Sequence, residues 1–264
     1  MTTPAEKALA SALERIRPGD SAAASEAQRS LDAKTKPRGS LGELETLACR
    51  VAAIRRTAVP DRPRAALVLA AADHGVAVEG VSAYPQEVTR QMLENFAAGG
   101  AAVNVLARET GARLVVVDAG VVTPVEHDAI RHLRLGAGTA NLAERPAMTR
   151  AQAVEALAAG IGLAAELARD GVGLIALGDM GIANTTTASA LCARLLPAEP
   201  EAVCGRGTGI DGAGLARKVA VVRRALERKG AEAADPVGVL AALGGFEIAV
   251  LAGVSLGAAA HSLP

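Results

Sequence analysis

Residues 173–187 combine residue types and spacing that could bind an anion. An apolar run, 174–177, stops at a glycine and is followed by a tight turn with one acid, Asp179. Asn184 and three threonines then stand where a helix would begin. A strand, a turn and a helix N-terminus in this order direct free backbone N–H groups and the helix dipole at one point. The alternative is an ordinary strand-to-helix turn capped by Asn184, and the pattern leaves both interpretations open.

A second candidate is the glycine-rich stretch CGRGTGIDG at 204–212. It satisfies Gly-x-Gly-x-x-Gly formally, but the dinucleotide fingerprint requires a buried strand directly before it, and LPAEP at 196–200 is not one. A nicotinamide-dinucleotide dehydrogenase is therefore disfavoured. A loop whose backbone approaches a phosphate remains reasonable, and Lys218, predicted at the start of the following helix, could supply the charge. Arg223 lies further along that helix and is predicted on a solvated face.

Other polar groups stand beside glycines elsewhere in the chain. Asp73 and His74 could form an acid–base pair, but adjacent residues on an extended chain point apart, and a single histidine at a strand end is more often structural. Tyr84, the only tyrosine, could stack on a flat ring or simply pack. Glu247 follows paired glycines at 244–245 and could face a ligand, although capping of its helix is favoured.

These groups must be positioned by alternating strands and helices. Three short apolar runs, each ending in an acid or a glycine, predict strands at 65–72, 113–117 and 174–177. Helical patterns follow at 86–109, 150–169 and 185–195. We therefore predict an α/β fold with a doubly wound, mostly parallel sheet covered by helices on both faces. In such sheets ligands bind beyond the carboxyl ends of the strands.

The first 60 residues have a different, all-helical pattern. They predict a small helical N-terminal subdomain at 1–60 attached to an α/β core at 61–264. Two short helices are expected at 5–16 and 25–33. A third, running to about residue 54, is predicted to begin with a capping box of Ser40 and Glu43; Thr149 and Gln152 predict another capping box before the helix at 150.

Composition excludes several classes of partner. Half of the 264 residues are apolar but only 1% are aromatic, so the core must be built from small aliphatic side chains. Lys plus Arg and Asp plus Glu are equal at 28 each, which predicts no nucleic-acid partner and no anionic membrane. Three cysteines lack any metal-binding spacing. The stretch MTTPAEKALA has no apolar segment typical of a secretion signal, and no run reaches the roughly 18 apolar residues of a membrane-spanning helix. We therefore expect a cytoplasmic protein.

Six segments together resemble one family, the nicotinate-nucleotide–dimethylbenzimidazole phosphoribosyltransferases. They occur in the family's order over nearly the whole chain. The segments are KPRGSLGELE at 36–45, ADHGVAVEGVSAYPQEVT at 72–89, GTANLAERPAMTRAQA at 138–153, ALGDMGIANTTTASA at 176–190, GRGTGIDGAGLARK at 205–218 and GGFEIAVLAGVSLGAAA at 244–260.

The resemblance implies a transfer reaction in cobalamin assembly. A ring nitrogen of 5,6-dimethylbenzimidazole attacks the anomeric carbon of nicotinate mononucleotide, nicotinate leaves, and α-ribazole 5′-phosphate forms. The resemblance implies no cofactor and no metal, and it suggests a homodimer. This chemistry requires a phosphate anchor, a slot for two flat rings and a base for the azole proton.

The resemblance also implies site residues. The acidic turn would contact the nucleotide, and its aspartate stands where the family often has glutamate. Two glycines and a lysine match the phosphate-binding part, and a tyrosine and a methionine fall in the segment that lines the benzimidazole pocket. The implied substrate-binding residues are Asp179, Met180, Gly181, Asn184, Thr185, Gly205, Gly207, Lys218, Tyr84 and Met92.

The family's usual general base is a glutamate in an Arg-Leu-Gly-Glu-Gly segment that no part of this sequence matches. The catalytic residue is therefore left unassigned, with Asp179 a possible auxiliary. A well-placed base contributes about 10²–10⁴-fold. We accordingly expect weak turnover by this chain and exposed apolar sheet edges such as 251–256. A homologue that binds nucleotide or azole without turnover is the alternative.

Overall fold

The computed structural model describes residues 2–228 and 235–264. Within these ranges four parallel strands form one sheet in the order β3-β2-β1-β4. The strands are β1 (Ala65–Ala72), β2 (Arg113–Gly120), β3 (Ile130–His132) and β4 (Leu174–Met180). The parallel α/β arrangement predicted from the sequence is confirmed.

Helices precede, separate and follow these strands. A 3₁₀ turn, Gly75–Glu79, lies directly after β1. The α-helices are α1 (Pro4–Arg15), α2 (Ser21–Asp32), α3 (Glu43–Arg55), α4 (Glu87–Ala98), α5 (Ala102–Thr110), α6 (Arg150–Arg169), α7 (Asn184–Leu195), α8 (Pro200–Val203), α9 (Gly212–Glu227), α10 (Pro236–Leu243) and α11 (Phe246–Ala260).

Strand β1 is buried on both faces because its alternate side chains meet different helices. Val68 and Ala70 pack into a cluster with residues of α6 and α11, whereas Leu69 and Ala71 pack with residues of α4. Helices α6 and α11 approach so closely that a Cβ atom on Gly160 would lie 2.0 Å from the Val250 carbonyl oxygen. Helices therefore cover both faces of the sheet, as predicted.

The order of the strands places a topological switch beside β1. The chain moves from β1 to β2 and β3 on one side and returns to β4 on the other. The region beyond the paired carboxyl ends of β1 and β4, called the crevice below, therefore lies at the switch point, which is the usual place for a ligand in an open parallel sheet. Strand β4 has no partner on its outer side in the described ranges, and Leu177 on it is 46% exposed.

Two helix predictions were wrong in detail. The pattern at 86–109 is two helices, α4 and α5, because Gly99 adopts a left-handed conformation with φ of 80° and ends the first. The capping box of Ser40 is absent: α3 begins after Gly42 with no side-chain cap. The Glu45 side chain instead accepts from Leu41 N at 3.2 Å. The capping box of Thr149 and Gln152 is confirmed.

The apolar segment 251–256 is not a sheet edge. It lies within α11, whose buried face packs against α6, so the edge that the sequence predicted there is found at β4 instead. By length and composition α6 alone among the described helices could cross a membrane. Half of its most apolar window is buried inside the protein, as expected for a core helix.

Candidate active site

A buried lysine brings together two of the predicted phosphate-binding segments. The Lys218 Nζ atom donates to Thr185 Oγ1 at 2.7 Å and to the Gly205 carbonyl oxygen at 3.1 Å. Gly207 has φ of 52°, and a Cβ atom there would lie 2.9 Å from Thr185 Oγ1 and 3.5 Å from Lys218 Nζ. The glycine-rich loop, the start of α7 and α9 therefore converge on one polar cradle.

Lys218 has no carboxylate within ion-pair distance among the described residues, although it is only 1% exposed. It lies in the second turn of α9, whereas the sequence predicted it at the start of that helix. Burial lowers the pKa of this ammonium below its ordinary value, because the charged form loses hydration. A buried cation with only neutral oxygen partners is a natural receptor for an anion.

The N-terminus of α7 opens toward the same cradle. Ala183, with φ of 72°, precedes the helix, and no side chain caps it. Asn184 is the first helical residue rather than the cap, and its side-chain amide donates to the Asp179 carboxylate. Desolvation, together with the negative charge of Glu247, raises the pKa of Asp179 above its ordinary value. The ordinary capped turn is therefore not what the chain forms.

The turn that follows β4 rests on the interior of the protein. The prediction that Asp179 lies in a turn was wrong, because β4 runs to Met180 and Asp179 pairs with Ala70 of β1. Met180 is the last residue of β4 and packs partly against the core beside α4. Gly181 has no room for a side chain, because a Cβ atom would lie 2.5 Å from the Ala72 carbonyl oxygen and 2.9 Å from His74 Nε2. Ile182 N donates to the buried Thr89 hydroxyl at 3.0 Å. No local sequence signal indicates this contact between α4 and the turn.

The two predicted azole-pocket residues occupy different environments. Tyr84 is 55% exposed on a loop that is joined to the glycine-rich loop, since Ala83 N donates to Thr208 Oγ1 at 3.1 Å. Met92, in contrast, is partly buried on α4 and packs with Leu69 and neighbouring core residues. The structure thus places the Tyr84 loop against the glycine-rich loop, whereas Met92 packs against the core cluster of β1 and α4.

Asp73 and His74 do not form an acid–base pair. This agrees with the expectation that adjacent residues of an extended chain point apart. Asp73 Oδ2 accepts from Val122 N at 2.8 Å. His74 is fully buried on the other side, with Nε2 2.7 Å from Glu247 Oε1 and Nδ1 3.0 Å from Thr187 Oγ1. The favoured capping role of Glu247 was wrong, because its carboxylate pairs with His74 and α11 has no side-chain cap.

An open cleft of about 670 Å³ lies elsewhere, between the loop that precedes α6, one side of α10 and the start of α11. It is lined by Arg145, Thr149, Arg150 and Phe246, among others, and contains none of the predicted site residues. In the described part of the chain no group of three or more His, Cys, Asp or Glu side chains could hold a metal ion.

Comparison with known proteins gives consistent matches over nearly the whole chain. A family model described as phosphoribosyltransferase matches residues 16–264. The nicotinate-nucleotide–dimethylbenzimidazole phosphoribosyltransferase of Desulforudis audaxviator is 53% identical over 256 residues, which are 96% of this chain and 72% of that protein. The enzyme of the same name from Roseiflexus castenholzii is 50% identical over 257 residues, covering 97% and 73%. The crystal structure of CobT from Thermus thermophilus superposes with a TM-score of 0.86 at 46% identity, covering 92% of this chain and 73% of that one.

Proposed function

The chain belongs to the nicotinate-nucleotide–dimethylbenzimidazole phosphoribosyltransferase family, and from this premise we propose which of its residues bind the two substrates. As a pentosyltransferase of cobalamin biosynthesis it transfers the phosphoribosyl group of nicotinate mononucleotide to 5,6-dimethylbenzimidazole. The resemblance drawn from six sequence segments is thereby confirmed. The assignment of individual side chains rests on the geometry of the crevice between β1 and β4.

One observation supports the phosphate site above all. Lys218 is a buried cation whose contacts are the Thr185 hydroxyl and the Gly205 carbonyl oxygen. A phosphate dianion placed beside it would supply the missing counter-charge, and the uncapped N-terminus of α7 would direct backbone dipoles at the same group. Gly207 lets the loop approach, because a side chain there would crowd both contacts. We assign the 5′-phosphate of nicotinate mononucleotide to this cradle.

The two rings would lie between the turn after β4 and the Tyr84 loop. The end of β4 carries Asp179, which is joined to the Asn184 amide at the start of α7, and the ribose and nicotinate of the nucleotide would fit beside these two side chains. Gly181 would keep the turn close to the protein interior. Tyr84 is proposed to cover the azole, because its exposed ring sits on a loop fixed to the glycine-rich segment through Thr208. Met92 would support this loop from the core rather than touch the azole directly.

The chemistry is a substitution at the anomeric carbon. A lone pair on an azole nitrogen forms the new C–N bond, and the bond to nicotinate breaks with its electron pair leaving on the nicotinate nitrogen. The proton on the other azole nitrogen must pass to a base. Asp179 is the carboxylate of the predicted site that faces solvent at this crevice, and its raised pKa suits an auxiliary proton acceptor. The residues around Asp179 are proposed to hold the azole and nicotinate rings in line for this substitution.

A turnover assay tests the proposed function. The chain is incubated with nicotinate mononucleotide and 5,6-dimethylbenzimidazole, and nicotinate and α-ribazole 5′-phosphate are separated by chromatography. Azole-dependent release of nicotinate in equal amounts with the new nucleotide is expected. Calorimetric binding of nicotinate mononucleotide without any release would instead support a non-catalytic binding protein.

We also propose that two copies associate. The resemblance implies a homodimer, and the N-terminal turns of α3 expose Leu44 and Leu47 at 64% and 52%. Neighbouring exposed apolar side chains of this kind are commonly covered by a partner. Light scattering after gel filtration should give twice the 26.5 kDa mass of the chain, and a mass of one chain would contradict the proposal.

A further inference from the structure

The pair of His74 and Glu247 is a buried polar contact that substrate binding does not use. The two residues are 173 positions apart, and their side chains are fully buried. His74 follows β1, whereas Glu247 lies in the first turn of α11. Burying two ionisable groups is costly unless each is paired and hydrogen-bonded, so this contact is an unusual feature of the core.

The pair packs against the turn that follows β4, two residues after Asp179. On one side, the Gly181 backbone is so close that a Cβ atom would meet His74 Nε2 at 2.9 Å. On the other side, a Cβ atom on Gly245 would lie 2.5 Å from His74 Cε1 and 2.7 Å from Glu247 Oε2. Thr187 fixes the ring to α7 through Nδ1 at 3.0 Å. The imidazole is therefore clamped between β1, α7, α11 and the β4–α7 turn.

The charges around the pair reach the substrate crevice. Burial alone would lower the pKa of His74, but the contact with Glu247 and the negative charges of Asp73 and Asp179 outweigh it, so this pKa is raised above its ordinary value. The Asn184 amide donates to Asp179, and the charges of Glu247 and His74 act on the Asp179 pKa in opposite directions, Glu247 raising it and His74 lowering it. When both imidazole nitrogens carry protons, one donates to Glu247 and the other to the Thr187 hydroxyl. Glu247 Oε2 has no hydrogen-bond partner among the described residues.

We propose that the buried His74–Glu247 pair is a positioning element of the active site, which holds the β4–α7 turn in place and sets the electrostatic field at the Asp179 carboxylate. Gly181 of the turn rests on the His74 ring, whose nitrogens contact Glu247 and Thr187. The negative charge of Glu247 balances the positive charge of His74 and also acts electrostatically on the Asp179 carboxylate. The expected effect on turnover rests on the proposed function, whereas the electrostatic interaction of His74 and Glu247 with Asp179 does not.

Nuclear magnetic resonance tests the charge relationship without turnover. In the wild-type chain, ¹⁵N shifts of the imidazoles should show both nitrogens of His74 protonated at pH 7. A neutral His74 there would overturn the proposal, and this measurement needs no variant. In Glu247→Gln, the His74 ring should become neutral at pH 7. The ¹³C titration midpoint of Asp179, assigned with Asp179→Asn, should still fall, because the lost negative charge of Glu247 acts on Asp179 more strongly than the positive charge of His74 that is lost with it.

The control is His132→Gln, which removes a partly exposed imidazole beside Asp118 and should leave the Asp179 midpoint unchanged. An unchanged Asp179 midpoint in folded Glu247→Gln would overturn the proposal. In the turnover assay, Glu247→Gln should also shift the acid limb of the kcat profile to lower pH, whereas a purely structural role lowers kcat without a shift. A wild-type chain that releases no nicotinate would contradict the proposed function, and the resonance data would still decide the inference.

Discussion

The Nζ atom of Lys218 lies 2.7 Å from Thr185 Oγ1, and this contact joins the middle of α9 to the N-terminus of α7. The two residues are 33 positions apart, so the contact exists only in the folded chain. It concentrates an ammonium, a hydroxyl and a helix dipole at one point of the crevice. The assignment of the nucleotide phosphate to this point leads to the first two predictions.

Replacement of Lys218 by methionine should weaken nucleotide binding while the fold is retained. Methionine keeps much of the buried volume but removes the charge. Hydrogen bonds to charged groups contribute about 1.5–3 kcal/mol, so the KM for nicotinate mononucleotide should rise roughly 10- to 100-fold with a smaller change in kcat. The matched control is Arg223→Met on the exposed face of the same helix, which should alter KM less than twofold. An unchanged KM in Lys218→Met would remove this residue from the phosphate site.

Gly207→Ala should interfere with the same cradle by crowding it. The new methyl group would lie 2.9 Å from Thr185 Oγ1 and 3.5 Å from Lys218 Nζ, at a backbone φ of 52°. Gly209→Ala is the matched control, because Gly209 also has positive φ, at 93°, but nothing within 4 Å of its Cβ position. Calorimetric Kd values for nicotinate mononucleotide should increase clearly more in Gly207→Ala. Equal increases in the two variants would mean that backbone strain, not crowding, is responsible.

The contact between α6 and α11 predicts a stability difference within one helix. Gly160→Ala would place Cβ 2.0 Å from the Val250 carbonyl oxygen, and overpacking of this kind should cost about 2 kcal/mol or more of the free energy of unfolding. Gly162→Ala has open space at its Cβ position and should gain about 0.5–1 kcal/mol from helix propensity. Urea denaturation measures both changes. A Gly160→Ala variant as stable as the wild type would show that the two helices are further apart.

The helical segment at the N-terminus should show a pH-dependent contribution to stability. Glu45 accepts from Lys36 Nζ at 2.7 Å, and this contact holds the pKa of Glu45 below its ordinary value of 4.5. Because the folded state favours the charged carboxylate, the stabilisation is present above the unfolded pKa and is lost as the pH falls through the folded pKa.

Glu45→Gln should therefore lower Tm at pH 7, and the difference from the wild type should shrink below about pH 4.5. Glu43→Gln, an exposed substitution on the same helix, serves as the control. Melting curves followed by circular dichroism across this pH range provide the measurement. A Tm difference that is constant with pH would show that the ion pair does not contribute.

Local sequence signals predicted much of the fold. The strands beginning at 65, 113 and 174 were marked by short apolar runs, and the capping box of Thr149 and Gln152 identified the start of α6. Where the signal was ambiguous, the prediction failed. The helical prediction at 86–109 runs across the pair Gly99–Gly100, a helix-stop signal that it did not use, and the left-handed backbone of Gly99 forms the break. Strand β3 is three residues long, too short for any periodicity.

The site, too, could be predicted only where its residues carry a local sequence signal. The segment around Asp179 and the glycine-rich loop have local signatures, so the sequence identified their residues as candidates. The contacts of His74 with Glu247 and of Thr89 with Ile182 join residues that are 173 and 93 positions apart. No spacing rule connects such pairs, because they are set by the packing of α11 and α4 on the sheet. Glu247 was singled out, but its partner was visible only in the fold.

The position of the nucleotide phosphate tests the central claim most directly. A crystal structure of the chain with nicotinate mononucleotide should show phosphate oxygens within hydrogen-bond distance of Lys218 Nζ and the Thr185 hydroxyl, at the N-terminus of α7. Density for the phosphate in the separate cleft beside Arg145 and Arg150, with Lys218 still bound only to Thr185 and Gly205, would contradict the account.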